Sequence, residues 1–182
     1  TGCVILGVNQ LLPEKPEICL SGVNHGPNMG EDVLYSGTVA AAMEATVMGI
    51  PSIALSYVGN RFEELEGWQG VVQAILEGIL GRETFPEDTL FNVNLPAVAP
   101  EDVRGIKITS LGRRRYSDSI LRAKDPMGKE YFWIGGGSVS WRGPEDSDFQ
   151  AVEDGYVSVT PLHLDLTNYK LLKEIRAWNL GL

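Results

Sequence analysis

Cysteine and histidine are scarce here, with two of each in 182 residues. Cys3 and Cys19 are too few for a disulfide framework, and Cys19 lies in an apolar run, where a small core residue belongs. No apolar run reaches the roughly 18 residues a membrane span needs. The first residues lack the basic-then-apolar pattern of a secretion signal. Positive charge is also short: 15 Lys and Arg against 24 Asp and Glu leave a net charge of −9 and a pI near 4.7. That balance argues against the protein as a whole binding a nucleic-acid polymer. There is no Walker A loop and no G-x-G-x-x-G at a helix start. Neither Ser21 nor Ser36 sits in a G-x-S-x-G elbow, so neither forms a nucleophile triad with His25 and Asp32. A starting Met is missing too. The chain opens on Thr1-Gly2-Cys3, already inside an apolar pattern, as expected of a processed or truncated chain.

What is present is ordinary for a globular protein: 43% hydrophobic and 21% charged residues, at the length of one domain. The expectation is a reduced, soluble, cytoplasmic protein. Glycine is high, at 21 residues. The charge is uneven. Residues 104–129 carry Arg104, Lys107, Arg113, Arg114, Arg115, Arg122, Lys124 and Lys129 against Asp118 and Asp125, so this stretch is +6 and the remainder −15. It reads either as a solvated hairpin face or as an anion-attracting arm near a phosphorylated substrate.

The order of elements predicts an α/β fold. Residues 3–12 read as a short helix ended by Pro13, and residues 17–23 as a buried strand opened by Pro16. A Gly- and Asn-rich loop fills 24–35. A helix runs from Ser36 to about Met48 with Val39, Met43 and Val47 on its apolar stripe, stopped by Gly49 and Pro51. Residues 53–57 are a second buried strand. Residues 63–80 are an amphipathic helix with Leu65, Trp68, Val72, Ile75 and Ile79 on one face. Phe91-Asn92-Val93-Asn94-Leu95 alternates, as a strand with one wetter face does. Helix and strand alternating with short joins give a parallel sheet covered on both faces. Beyond Pro100, residues 105–111 and 130–134 read as antiparallel strands around a turn at Pro126-Met127-Gly128, residues 156–164 as a further strand, and Tyr169 to Trp178 as a last helix. The apolar stripe of that helix, Leu171, Ile175 and Trp178, docks either on its own core or on a partner.

In open α/β sheets ligands bind at the carboxyl ends of the strands. The first strand runs into Ser21-Gly22-Val23-Asn24-His25-Gly26-Pro27-Asn28-Met29-Gly30-Glu31-Asp32. Gly22, Gly26 and Gly30 would let backbone approach a ligand. Asn24 and Asn28 offer oxygens for a hard cation and N–H donors for a phosphate. Ser36-Gly37-Thr38 opens the next helix, where orphan N–H groups and the helix dipole favour an anion; the plainer reading of Ser36 is an N-cap. His25 is either a solvated loop residue or a proton donor to a leaving group. Glu31-Asp32 is a metal-binding pair or simply favours the helix start. His163, in a strand beside Pro161, reads as structural.

The run SGVNHGPNMGEDVLYSGTVAAAME at 21–44 resembles the central motif of the SurE family of 5′/3′-nucleotidases. GCVILGVNQLL at 2–12 is similar to the helix before that motif, although the family usually has Asp where Gly2 stands. FNVNLP at 91–96 and DFQAVEDGYVSVTPLHLDLT at 148–167 are similar to the family's later strand and C-terminal motif. The resemblance implies a Rossmann-like three-layer α/β/α fold with a smaller β-rich C-terminal arm. Residues 1–100 would be the remainder of the catalytic domain, 101–147 an extended hairpin arm for oligomerisation, and 148–182 a strand and helix exchanged between subunits. It implies a metal-dependent phosphatase that cleaves nucleoside 5′- and 3′-monophosphates, and also short polyphosphate, as a homodimer or homotetramer away from membranes. One Mg²⁺ or Mn²⁺ per subunit would be held by two adjacent Asp, one Ser and one Asn.

Carried over, Asn24 is that Asn, and Asn28, Ser36, Gly37 and Thr38 are the phosphate-binding positions. No Asp-Asp pair occurs in the 182 residues. The paired Asp and the Ser ligand, with the first strands of the sheet, are therefore expected to precede Thr1. The alternatives are an inactive phosphate- or nucleotide-binding remnant and a pure assembly protein.

Overall fold

The computed structural model describes residues 1–59, 61–115, 120–134 and 140–178. Asp118 of the basic stretch and the side chain of Arg115 lie outside the described residues. The chain begins with α1 (Gly2–Leu6), which runs on into a wider π turn over Gly7–Leu11. β1 (Cys19–His25), α2 (Gly37–Val47), β2 (Ser52–Tyr57), α3 (Gln69–Leu80) and β3 (Thr89–Leu95) follow. Next come β4 (Ile106–Ile108), β5 (Arg113–Arg115), β6 (Ile120–Lys124), β7 (Glu130–Ile134) and β8 (Ser140–Arg142). The chain closes with α4 (Asp148–Glu153), β9 (Val157–His163) and α5 (Tyr169–Ile175).

The main sheet has the order β1-β2-β3-β9-β4. The first three strands are parallel, β9 runs antiparallel to β3, and β4 is parallel to β9. The expected α/β architecture is present, but the sheet is mixed rather than wholly parallel, because β9 returns along β3.

Alternation along the strands divides the core in two. Ile53, Leu55, Tyr57, Val93, Leu95, Val157 and Val159 face Trp68 and Ile75, so the 62–80 segment covers one side. Ala54, Leu90 and Leu162 face Val39 and Ala42 of α2 on the other. Burying Trp68 or Ile75 contributes about 1.5–3 kcal/mol each. The segment read as one helix over 63–80 is a 3₁₀ stretch, Phe62–Trp68, followed by α3.

Four local expectations need correction. The first strand is β1, Cys19–His25, two residues later than 17–23, because pairing with β2 continues to His25↔Tyr57. Asn24 and His25 therefore end a strand instead of opening a loop. The buried face of α2 is Val39, Ala42, Ala45 and Thr46, whereas Val47 is 68% exposed. Ala42 and Ala45 let the helix lie close on the sheet, and Met43 packs half-buried beside them. Asn92 and Asn94 are both fully buried, so the polar face of β3 is not wet.

The last correction concerns the 105–134 region. β4 joins the main sheet beside β9, and the strand that pairs with β7 around the 126–128 turn is β6. Asp125 shapes that turn, its Oδ1 accepting from the N–H groups of Met127 and Lys129, each at 2.9 Å. β5 pairs with β8. On α5 no residue is buried, so its stripe does not dock on this chain's own core. Cys3 and Cys19 are free thiols, and burial pushes the Cys19 thiol up from its ordinary range.

Candidate functional site

β1 and β2 end side by side, and the chain leaves β1 through Gly26 to a 3₁₀ turn, Gly30–Leu34, before α2. Ser36 is the N-cap of α2; its Oγ accepts from the Val39 N–H at 3.1 Å. This is the plain role expected of a Ser there. It leaves the hydroxyl proton free to be donated. The amides of Gly37 and Thr38, at the first turn, have no intrahelical partner by helix geometry. No acidic side chain stands in that first turn, so its positive dipole end is not offset locally.

Asn24 and Thr38 meet across 14 residues of chain: the Thr38 hydroxyl donates to Asn24 Oδ1 at 3.4 Å. Asn24 Nδ2 donates to the Gly26 carbonyl at 2.9 Å, which orients the carboxamide. The strand-end amide and the helix start thus form one polar patch, partly open to solvent. His25 is exposed beside it.

Asn28 is held differently. It is buried, and its N–H donates to Asn94 Oδ1 at 2.9 Å. Its carbonyl accepts from Asn92 Nδ2 at 2.8 Å and Asn94 Nδ2 at 3.1 Å. Its own Nδ2 donates to Ser56 Oγ at 2.7 Å, which uses one of the two amide hydrogens.

Ser56, Asn92 and Asn94 were not picked out from sequence. Their signal is positional: i and i+2 in β3, with Ser56 opposite Asn94 in the β2–β3 register, all on the α2 side of the sheet. Each lost partner there would leave a buried polar group, costing about 1–3 kcal/mol.

Asp148 was also missed. It is fully buried at the start of α4. Its Oδ2 accepts from Gly30 N–H at 2.8 Å; its Oδ1 accepts from Gly112 N–H at 2.9 Å and Phe149 N–H at 2.8 Å. Burial pushes its carboxyl up from the usual range, and the three backbone donors pull against that. Its only sequence signal is a Ser-Asp pair before an apolar run, which reads as a helix cap.

Glu31 and Asp32 both turn toward Arg114 of β5. Glu31 Oε2 accepts from Arg114 N–H at 2.6 Å, a bond that holds its carboxyl below the ordinary range. Asp32 pairs with the Arg114 guanidinium at 2.6 Å. Arg114 also lies over Trp141, which stacks on Phe149.

Gly22 and Gly30 are required by the fold itself. Gly22 has φ +125°, and a Cβ there would collide with the Leu55 carbonyl of β2. Gly30 has φ +52°, and a Cβ would lie 2.8 Å from the Gly112 carbonyl.

Among the described residues, no group of three or more His, Cys, Asp and Glu could hold a metal ion. A hard divalent cation takes about six oxygen ligands. Asn24 offers one carboxamide oxygen, so these residues fit one ligand of such a centre and do not build it alone. No helix of the described residues is long and apolar enough to cross a membrane.

The family model described as Survival protein SurE matches residues 1–118. A 5′-nucleotidase SurE of Gemmatimonas aurantiaca is 58% identical over 181 residues, covering 98% of this chain and 72% of that protein. A 5′-nucleotidase SurE of Aquifex aeolicus is 48% identical over 175 residues, covering 96% of this chain and 69% of that protein. The crystal structure of the SurE protein from Aquifex aeolicus superposes with a TM-score of 0.79 at 45% identity, over 96% of this chain and 70% of that one. On family model, sequence and fold together, the chain belongs to the SurE family.

Proposed function

We propose that this chain carries the phosphate-binding part of a nucleotidase that hydrolyses nucleoside 5′- and 3′-monophosphates to nucleoside and phosphate, and that also cleaves short polyphosphate. The carrying observation is the meeting of Thr38 and Asn24 at the first turn of α2. It joins a helix start with spare donors to a strand-end carboxamide at the carboxyl end of a parallel sheet, where an anion is stabilised. The names of the relatives, 5′-nucleotidase SurE, support the same reading.

In this reading the amides of Gly37 and Thr38, the Ser36 hydroxyl and the second amide hydrogen of Asn28 hold the phosphate oxygens. They stabilise the charge that those oxygens carry during phosphoryl transfer. Asn24 Oδ1 is one ligand of a divalent ion, Mg²⁺ or Mn²⁺, whose charge polarises a phosphoryl oxygen when bound. His25, exposed at the end of β1, would supply a proton to the leaving alkoxide.

The working protein is a homo-oligomer, a dimer or tetramer, in the cytoplasm. Residues 1–100 belong to the catalytic unit and 101–147 include the assembly arm; of the 148–182 segment, α4 and β9 pack on this chain's own sheet, which leaves α5 as the part to exchange. The exposed apolar side chains of β6, β7 and α5 support that assembly.

Phosphate release from nucleoside monophosphates by the natural full-length protein tests the activity. We expect turnover with Mn²⁺ or Mg²⁺ and none with EDTA. Asn24→Ala should lose at least about a hundredfold in kcat/KM, as loss of several kcal/mol of charge stabilisation requires. Release that ignores EDTA, or no release under any condition, overturns the proposal.

A further inference from the structure

Asp148 joins parts of the chain that are distant in sequence. Gly30 is 118 residues before it, and Gly112 is 36 residues before it. Gly30 follows Asn28 by two residues and opens the turn that leads to Ser36. Gly112 directly precedes the basic strand β5. A carboxylate with no solvent exposure is costly unless its lone pairs are filled, and here three backbone N–H groups fill them.

The loop is therefore gripped from two directions. Asn92, Asn94 and Ser56 hold Asn28 from the sheet, and Asp148 holds Gly30 from α4. The absence of a Cβ at Gly30 lets the Gly112 carbonyl close over it.

We propose that Asp148 is a positioning residue for phosphate: through Gly30 it fixes the 28–36 loop, and so sets where Asn28 and the first turn of α2 present their donors to a phosphate monoester. This rests on the phosphate-site reading above. Asn is the informative replacement, since it keeps one carbonyl oxygen but turns an NH₂ toward the amide of Gly30 or Gly112.

The test uses the full-length protein and three readouts: KM for a nucleoside 5′-monophosphate, the dissociation constant of inorganic phosphate, and amide hydrogen exchange over residues 28–36. Asp148→Asn should raise KM and the phosphate constant by about tenfold to a hundredfold, as small misplacement of binding groups does. It should also speed exchange across the loop. Val157→Ala, a cavity in the core cluster around Ile53 and Val93, is the control for a comparable loss of melting temperature, and should move none of the three. If Asp148→Asn does not fold, Gly30→Ala disturbs the same contact from the loop side and should give the same three changes.

Binding constants within about twofold of wild type, or no larger change than in Val157→Ala, overturn the inference. If the wild-type protein hydrolyses no nucleotide, the nucleotidase proposal fails, while phosphate affinity and loop exchange still decide the role of Asp148.

Discussion

Ser36 uses its oxygen and its proton for different ends. The oxygen caps α2 by accepting from Val39 N–H, and in the proposed site the proton goes to phosphate. The two roles separate by substitution. Ser36→Ala should cost about 1 kcal/mol of stability through the lost cap, and Ser36→Gly only a few tenths. Both should weaken inorganic phosphate binding equally, read by calorimetry. Phosphate affinity unchanged in Ser36→Gly would reduce Ser36 to a cap. Ser36, Thr38 and Asn24 could be singled out from sequence because their signals are local: a Ser before a helix, an Asn ending an apolar run. Asn92, Asn94 and Asp148 could not, because what defines them is a partner 64 to 118 residues away. Alternation in 91–95 gave the strand correctly. It could not tell a polar face turned to water from one turned to a buried loop.

At the scale of elements, β1, α2, β2, α3 and β3 were legible in place, since each is an apolar run bounded by turn residues, though the face that α2 buries was not. The 105–134 region was not, because its short strands are chosen by neighbours that sequence does not name. β4 belongs with β9, and β6 belongs with β7. The β6–β7 hairpin turns Leu121 and Trp133, a cross-strand pair, out to solvent at 60% exposure each. Ile120 and Phe132 on the other face of the hairpin, and Met127 at its turn, are exposed too. Such a patch marks an interaction surface, and here the proposed occupant is a second copy of the chain. Replacing Leu121 and Trp133 together by Ser should shift the oligomer toward monomer in light scattering while leaving the melting of the main sheet nearly unchanged. A wild-type monomer, or an unaltered oligomer in the variant, contradicts the assembly.

At the scale of the molecule, the uneven charge finds a use. The acidic pair Glu31-Asp32 engages Arg114 of the basic stretch, so it lies on the β5 side of the loop. The first turn of α2 carries no acidic side chain of its own, which favours an anion there. The sheet carries Asn24 to that turn, β3 and Asp148 hold the loop between them, and β5 is fastened to the same loop through Arg114. This one place is where the proposed phosphate of a nucleotide sits. The most direct measurement follows backbone amide NMR shifts as a nucleoside 5′-monophosphate, and separately inorganic phosphate, is added. Both ligands should move Asn28, Gly37, Thr38 and Val39 most. Unmoved amides at these four positions would contradict that placement, above all if the shifts fell instead on the 720 Å³ groove along α3 lined by Gln69, Val72 and Leu76.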